Sequence, residues 1–344
     1  MNKHHPLGFW KDLLDKKIKK GKPIFVLAPM ADVTDIAFRE MIAKYSKMGE
    51  VGGGPDVMWT EFVSANGLCS IGFEKLKRHL EFTKKERPIV AQLFSSSPDK
   101  MREAAKLCKK LGFDGIDINM GCPDKTIEKQ GAGAMLMRDW KLAQEIIYAT
   151  RDGAGDIPVS VKTRIGFNKI EYKEWLSKIL ETNIPVLTVH LRTRKELSLV
   201  PAHWELMEDI AKLVREKTGD VKNGGTILIG NGDVMSVTDG KEKIKETGCD
   251  GVMIGRAIFG TPWIFNEKEF KKGKTTKEKL KICLEHTKLF DKKLGDIKSF
   301  AVMKKHFKAY INGFDGAKDL RIQLMETKNA KEVEKIIKDY LKSL

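Results

Sequence analysis

Eight short apolar segments recur along the chain, and most of them are separated by segments with helical periodicity. The apolar segments are residues 24–28, 57–59, 89–91, 115–118, 159–161, 186–189, 227–229 and 251–254. Among the helical segments, residues 97–112 begin with Ser97 as a candidate N-cap, have Pro98 at the first helical position and end at Gly112. Strand and helix thus alternate about eight times over roughly 250 residues, a pattern that predicts an α/β fold, the (β/α)₈ TIM barrel.

Each apolar segment ends in a polar or glycine-containing group. These groups are Pro29-Met30, Thr60-Glu61, Gln92, Asn119, Lys162, His190, Asn231-Gly232-Asp233 and Gly255-Arg256. The carboxyl ends of the strands carry the active site in a TIM barrel. One polar residue at a strand end would mean little, but a full circuit is hard to explain by core packing. The sequence therefore predicts a ligand site built from these strand ends.

One thiol lies at the mouth of the fourth predicted strand, in the stretch Asn119-Met120-Gly121-Cys122-Pro123. A cysteine between glycine and proline is not placed as a core residue would be, although unpaired cysteines are often buried for packing alone. The chain has five cysteines at wide spacing and no CxxC pair. This favours neither a disulfide framework nor a metal site, and it is typical of a reducing cytoplasm. For Cys69, Cys108, Cys249 and Cys283 the sequence favours packing over chemistry.

The groups after the seventh and eighth strands are candidates for a phosphate site. In this fold a phosphate commonly binds beside those two loops, where backbone N–H groups converge. Gly232 and Gly255 would permit close approach, and Arg256 could supply a planar donor fork. Asp233 is expected to order its loop through its own backbone bonds. Taken alone, Asn231-Gly232-Asp233 would also suit an ordinary turn.

Charge and periodicity divide the chain into three segments. The formal net charge is +16 and the sequence pI about 9.4, which favours a polyanionic partner such as nucleic acid. We expect a basic extension over residues 1–22, a catalytic barrel over 23–270 and a small all-helical domain over 271–344, with a boundary near residues 271–274. No apolar stretch approaches membrane-spanning length, so we expect a soluble, cytoplasmic protein without a membrane partner.

The chain closely resembles the flavin-dependent tRNA-dihydrouridine synthases, whose motifs occur in the family's order. They are Leu27-Ala28-Pro29-Met30, Thr60-Glu61, Val90-Ala91-Gln92-Leu93-Phe94, Asn119 to Pro123, Ser160-Val161-Lys162-Thr163-Arg164, Val189-His190, Arg192-Thr193-Arg194, Asn231-Gly232-Asp233-Val234 and Met253-Ile254-Gly255-Arg256-Ala257. Met303-Lys304-Lys305-His306 and Leu320-Arg321 are similar to its C-terminal domain. Any single motif is a weak signal, but the ordered set is a strong one.

The resemblance implies a reaction and a set of contacts. The reaction is the reduction of specific tRNA uridines to 5,6-dihydrouridine, with hydride from reduced FMN, a proton from Cys122 and NADPH as the transient electron donor. The implied FMN contacts are Ala28, Pro29, Met30, Gln92, Lys162, His190, Asn231, Gly232, Asp233, Gly255 and Arg256. Asn119 would hold the base edge. The implied RNA contacts are Arg192, Arg194, Lys195, Lys304, Lys305, His306 and Arg321. No stable protein partner is indicated.

Three residues after the sixth strand depart from the family pattern. Leu191 stands where glycine is usual, and Val200 and His203 stand where glycine and aspartate are common. Substrate contacts in that loop are therefore less secure than the flavin site. Two alternatives remain open, namely an FMN-dependent barrel oxidoreductase acting on a free pyrimidine and a nonenzymatic tRNA-binding protein. The first gives no use for the +16 charge, and the second does not explain the strand-end residues.

Overall fold

Eight parallel strands form the centre of the computed structural model, which describes residues 6–343. The strands are β1 (Ile24–Leu27), β2 (Met58–Ser64), β3 (Ile89–Phe94), β4 (Gly115–Met120), β5 (Val159–Arg164), β6 (Val186–His190), β7 (Ile227–Asn231) and β8 (Gly251–Ile254). Each strand pairs with the next along the chain from β2 to β8, and β8 pairs with β1. A parallel bridge between Val26 and Val57 brings β1 against the start of β2 and closes the ring. The predicted TIM barrel is confirmed.

The apolar segments of the sequence mark the strands, but six of the strands run further than those segments. The polar residues expected after the strands lie in several cases within them: Gln92 lies in β3, Asn119 in β4, Lys162 in β5 and His190 in β6. The ladder continues past the apolar core because backbone pairing does not depend on side-chain polarity. Its register places Asn119 beside Lys162 and His190 beside Asn231. Pairing itself therefore brings these side chains together.

Fifteen α-helices lie within the described residues. They are α1 (Trp10–Lys16), α2 (Ile36–Tyr45), α3 (Ala65–Leu68), α4 (Phe73–Leu76), α5 (Pro98–Lys110), α6 (Lys125–Glu128), α7 (Trp140–Ala154), α8 (Tyr172–Leu180), α9 (Met207–Thr218), α10 (Val237–Thr247), α11 (Glu267–Lys272), α12 (Thr276–Leu294), α13 (Val302–Tyr310), α14 (Ala317–Met325) and α15 (Ala330–Ser343). Short 3₁₀ helices lie at Ile18–Lys20, Lys77–Leu80, Lys84–Glu86, Gly133–Arg138, Trp204–Leu206, Val221–Asn223 and Arg256–Ile258. Helix α5 begins as predicted, since the Ser97 side chain accepts from the N–H of Lys100. None of the described helices is long and apolar enough to cross a membrane.

The predicted basic extension contains a helix that closes the amino-terminal end of the barrel. Helix α1 buries Trp10 and Leu14, and Ile18 follows them, so that these apolar residues lie four apart on one face. Together they pack against the barrel interior, where Trp59 and Ile229 are among their neighbours in one apolar cluster. Residues 1–5 of the extension lie outside the described residues. The segment therefore contributes to the core as well as to the charge.

The C-terminal helical region, residues 271–344 of the sequence, packs on one side of the barrel through α2. Phe38 of α2 stacks on His286 of α12 with ring centroids 4.8 Å apart. Outside this apolar contact, the Lys298 ammonium donates to Glu61 of β2 at 2.7 Å. The side chains of α12 and α13 belong to the same apolar cluster as the outer layer of the barrel. The division into barrel and helical domain stays a prediction, because the two share this core.

Candidate active site

A cavity of about 610 Å³ opens at the carboxyl ends of the strands. Its lining contains all eleven residues expected to hold FMN, namely Ala28, Pro29, Met30, Gln92, Lys162, His190, Asn231, Gly232, Asp233, Gly255 and Arg256. Cys122, Asn119 and Arg192 line the same cavity. Residues from all parts of the barrel between β1 and β8 therefore converge on one space that is large enough for a ligand of cofactor size.

The Cys122 loop is held by Asn119 at the end of β4. The Asn119 Oδ1 accepts from the N–H of Gly121 at 3.1 Å and from the N–H of Cys122 at 2.9 Å. On the other side of the loop, Arg164 Nε donates to the Gly121 carbonyl at 2.7 Å. The Cys122 side chain is half-buried, and burial raises the pKa of its thiol above the ordinary value. The thiol is therefore protonated at neutral pH and faces the cavity.

At the floor of the cavity, four side chains form a hydrogen-bonded chain. The buried Asp117 accepts from Ser160 Oγ at 2.5 Å and from Gln92 Nε2 at 2.6 Å. The Gln92 Oε1 in turn accepts from Asn119 Nδ2 at 3.0 Å. Burial raises the pKa of Asp117 to about 6. One donor hydrogen of Gln92 and one acceptor position on its oxygen are already taken, so fewer of its hydrogen-bonding positions face the cavity than the sequence suggests.

Lys162 brings a positive charge to the cavity that no neighbouring carboxylate pairs. Within the described residues, the Lys162 ammonium makes no hydrogen bond or ion pair. Burial and the nearby Arg164 together lower its pKa to about 8, although the charge of Asp117 acts in the opposite sense. Burial and the same cations hold the pKa of His190 well below its ordinary value, so this imidazole is neutral at pH 7. The cavity thus combines a lysine suited to an anionic ligand with a neutral histidine that can donate or accept a hydrogen bond.

Asp233 links two arginines at the opposite end of the cavity. Its carboxylate pairs with the Arg192 guanidinium and accepts from Arg256 Nη2 at 2.6 Å and from the N–H of Ala202 at 2.9 Å. These contacts correct the expectation that Asp233 orders its loop through its own backbone bonds. The backbone of Asp233 is left-handed, with φ +47°. The preceding Gly232 has φ +124°, and a Cβ there would lie 2.8 Å from the Ala202 side chain, so the position requires glycine.

The expected RNA contacts differ widely in exposure. Arg192 is 2% exposed, so any contact with a substrate would be inside the cavity and not on the outer surface. His306 is fully buried among aromatic rings, and its expected place in an RNA-binding surface is wrong. Arg194 forms a bidentate ion pair with Glu128 of α6 and stays half-buried. Lys304 is half-buried on α13, and half-buried Arg321 donates to the Ile311 carbonyl at 2.7 Å.

Two charged residues beside the cavity were not among the site residues predicted from the sequence, although their spacing in the sequence indicates both. Asp117 lies two residues before Asn119, and Arg164 lies two residues after Lys162. Because side chains alternate across a strand, residues two apart share a face. Each of these charged residues was therefore predictable on the inward face of its strand. For the other four cysteines packing is the observed role of three, since Cys108, Cys249 and Cys283 are buried, while Cys69 is half-buried.

Comparison with known proteins shows the family to which this chain belongs. The family model described as dihydrouridine synthase (Dus) matches residues 26–344. A probable tRNA-dihydrouridine synthase of Staphylococcus aureus (strain COL) is 40% identical over 336 residues, which cover 97% of this chain and 95% of that protein. The probable tRNA-dihydrouridine synthase 2 of Bacillus subtilis (strain 168) is 39% identical over 336 residues, which cover 97% of this chain and 96% of that protein. Nearly the whole length of the chain is matched in each case, and the chain belongs to the dihydrouridine synthase family.

Proposed function

We propose that this protein reduces uridine in tRNA to 5,6-dihydrouridine, with FMN in the strand-end cavity and NADPH as the electron donor. The observation that carries the proposal is the joint lining of one cavity by the Cys122 thiol, Lys162 and the loops after β7 and β8. Membership of the dihydrouridine synthase family supports the reaction. The curated relatives are named for tRNA as substrate, which supports the choice of RNA over a free base.

The residues of the cavity fit a flavin phosphate and ring. A Cβ on Gly255 would meet nothing closer than Ala28 and Met30, at 3.7 Å, so the backbone after β8 is open to close approach. Arg256 is exposed beside it and supplies a guanidinium for the phosphate. Lys162 would hold the negative charge that develops at the pyrimidine end of the ring. When bound, FMN supplies the hydride for one carbon of the uracil double bond.

In this proposal Cys122 supplies the proton for the neighbouring carbon. Its S–H bond breaks as the new C–H bond forms, and the electron pair stays on Sγ as a thiolate. A raised thiol pKa keeps the proton available at neutral pH. The positive charges of Arg164 and Lys162 act in the opposite sense and favour the thiolate once it has formed. Solvent then returns a proton to Sγ, which restores the starting state.

The target uridine must leave the RNA stack to reach this cavity. Phosphate contacts around the barrel mouth and on the C-terminal helical region would hold the RNA while the base is extruded. Residues 271–344 contain 20 Lys and Arg against 10 Asp and Glu, so this fifth of the chain carries +10 of the net +16. Lys304 and Arg321 lie in this region, and Lys305 and Lys308 are exposed on α13.

Replacement of the thiol tests the proposal. In Cys122→Ala we expect FMN binding and its reduction by NADPH to survive, because the thiol takes part in neither. Dihydrouridine formation on tRNA should fall by about 10²-fold or more, since a positioned acid contributes typically that much. Stopped-flow absorbance follows the first half-reaction, and mass spectrometry of the tRNA follows the second.

Cys69→Ala is the matched control, because Cys69 is also half-buried but does not line the cavity. It should leave both half-reactions unchanged. Undiminished tRNA reduction by Cys122→Ala would remove this thiol from the mechanism. A wild-type protein that reduces free uracil as fast as tRNA would contradict the RNA substrate, and one that binds no FMN would contradict the flavin site.

A further inference from the structure

The inference concerns the buried side chain Asp117, which lies under the floor of the cavity and does not line it. Asp117 is fully buried, as is Gln92, and Asn119 is 7% exposed. A carboxylate in such a place is costly unless its acceptor positions are used. Asp117 uses them on Ser160 and Gln92, and Gln92 is the first link of a chain that ends at the Cys122 backbone. Because burial of this carboxylate costs free energy, we looked for a function that Asp117 performs through its hydrogen bonds.

A side-chain amide can present either its oxygen or its NH₂ group to a neighbour, and only its partners decide which. An ionised carboxylate accepts and never donates, so Gln92 must present Nε2 to Asp117. The Gln92 oxygen then faces Asn119, which must answer with Nδ2. This leaves the Asn119 oxygen free for the N–H groups of Gly121 and Cys122. A reversed Asn119 amide would oppose NH₂ to those N–H groups and release the loop.

We infer that Asp117 is a positioning residue that fixes the direction of both amides and thereby holds the Cys122 loop in its working geometry. The inference rests on the proposed function only in that Cys122 is the proton donor whose placement matters. The raised pKa of Asp117, about 6, is consistent with this role, because its carboxyl group is still mainly ionised at pH 7. Ser160 completes the arrangement, because its hydroxyl can donate to Asp117 and has the Ile116 carbonyl as a second acceptor at 3.4 Å.

The direction of the chain can be reversed by exchanging the acid and the amide at its ends. In Asn119→Asp, the new carboxylate keeps the acceptor for Gly121 and Cys122 but opposes the Gln92 oxygen, and turning Gln92 over would oppose that oxygen to Asp117. In the double variant Asp117→Asn/Asn119→Asp, the amide at position 117 can donate to the Gln92 oxygen, and Gln92 Nε2 can donate to the acid at position 119. Every group is then satisfied with the chain running backwards. Asp117→Asn alone no longer requires Gln92 to donate to position 117, so the chain can run in either direction, and the original direction needs Ser160 turned toward Ile116.

The experiment measures hydrogen exchange at the Gly121 and Cys122 amides by mass spectrometry, on flavin-loaded proteins at pH 7, together with kcat for tRNA reduction. We expect Asn119→Asp to lose at least tenfold of the protection and of kcat, and the double variant to regain most of both. Asp117→Asn should lose part of the protection and of kcat, less than Asn119→Asp, because the direction of the two amides is then no longer enforced. Asn66→Asp makes the same amide-to-acid change at an exposed site that accepts from Ser95, and it should leave both readouts unchanged.

The inference would be overturned if the double variant showed no gain over Asn119→Asp in protection, kcat and yield of folded protein. It would also be overturned if Asn119→Asp had the same protection and kcat as wild type. If Asn119→Asp fails to fold while the double variant folds, the rescue itself supports the inference. Failure of the proposed role of Cys122 would be seen separately. In that case Cys122→Ala would keep full activity, while the four variants above would still show the expected pattern of exchange protection. A contribution from Asp117 to general stability alone predicts additive losses in the double variant and no rescue.

Discussion

At the scale of single residues, the end of the cavity beyond β7 and β8 is organised by one carboxylate between two guanidinium groups. Burial would raise the pKa of Asp233, but the N–H of Ala202 and the two arginines lower it overall. Asp233 therefore stays ionised and holds Arg256 in place, although 59% of that arginine's side chain is exposed. An exposed arginine whose guanidinium group is already held loses little freedom when an anion binds. This arrangement suits a phosphate site that is ready before its ligand arrives.

We expect Arg256→Ala to weaken FMN binding by about 10- to 100-fold. The lost contact is a charge-assisted hydrogen bond, worth on the order of 1.5–3 kcal/mol. Fluorescence titration of the apoprotein with FMN measures the change. Arg102→Ala removes the same group from α5, where it pairs with Asp99 and Asp152 outside the cavity, and should bind FMN normally. Equal affinity of Arg256→Ala and wild type would place the phosphate elsewhere.

The sequence located the residues that line the cavity but not the partners that orient them. Strand-end position is a local property, so Lys162, His190 and Asn231 were predictable from where the apolar segments stop. The pairing of Asp233 with Arg192 joins residues 41 apart and depends on how two loops meet. The same limit explains His306, whose lysine-rich neighbours suggest a surface while the ring itself is turned into the core. Contacts between distant elements need the fold before they can be seen.

At the scale of elements, the contact of α12 and α13 with the barrel contains two buried histidines. His286 and His306 have ring centroids 4.6 Å apart, and Phe38 of α2 contacts both rings. Within the described residues, neither nitrogen of His306 nor Nε2 of His286 has a hydrogen-bond partner, while Nδ1 of His286 lies 3.5 Å from the Tyr310 hydroxyl. Two polar rings thus serve as apolar packing at pH 7. This works only while both remain neutral.

We expect the protein to lose stability as the pH falls below about 6.5. Burial lowers the pKa of His286 to about 3, and burial, His286 and Lys305 hold that of His306 well below its ordinary value. The unfolded chain therefore binds these protons more readily, so the stabilisation is present above the unfolded pKa and is lost as the pH falls. Each histidine adds about 1.4 kcal/mol per pH unit to the slope between about pH 6 and pH 4.

Urea unfolding at several pH values measures this slope, and His286→Phe should reduce it by about one histidine's share. His203→Phe is the matched control. Hydrogen bonds with Glu196 and Glu205 raise the pKa of His203, so its contribution is present at low pH and is lost as the pH rises. Its removal should leave the loss toward acid undiminished. An unchanged slope in His286→Phe would show that this ring is hydrated or otherwise partnered.

The prediction of elements from the sequence succeeded for the strands and missed helix α1. All eight strands were marked by apolar segments, which a parallel barrel requires because both faces of its sheet are covered. In residues 1–22, lysines are so frequent that the sequence predicts a basic extension and not a helix packed on the barrel. Trp10, Leu14 and Ile18 have the four-residue spacing of a helix face. Only the closed barrel, however, offers a site in which so narrow an apolar face can be buried. The missing information was again tertiary.

At the scale of the whole molecule, positive charge is concentrated where the C-terminal helical region meets solvent. Truncation is a poor test of that surface, because it would expose Phe38 and Phe259 where they now contact His306. Reversal of exposed charges leaves the shared core intact. Lys305 and Lys308 of α13 suit this purpose, since both are exposed and neither pairs with a described carboxylate.

We expect the affinity for tRNA to fall with salt, with a slope of about −4 in log–log form if roughly five phosphates are neutralised. Lys305→Glu/Lys308→Glu should lower the affinity and make the slope shallower by about 2, one for each lost phosphate contact. Filter binding at several salt concentrations measures both. Lys106→Glu/Lys110→Glu makes the same change of charge on α5, where both lysines are exposed. Equal losses in the two variants would mean that only the net charge matters and that α13 has no special part.

The closure of the barrel by helix α1 has a consequence for the order in which the protein can be assembled during translation. The helix leaves the ribosome before any strand of the barrel, but its site includes Val186 of β6, Ile229 of β7 and Met253 of β8. That site is complete only when about 240 further residues have been made, which takes about 10–50 s at typical rates of protein synthesis. Throughout this interval Trp10 and Leu14 remain without part of their native neighbours and available to chaperones. A helix made before every strand of the barrel therefore docks only after the last strand has been made.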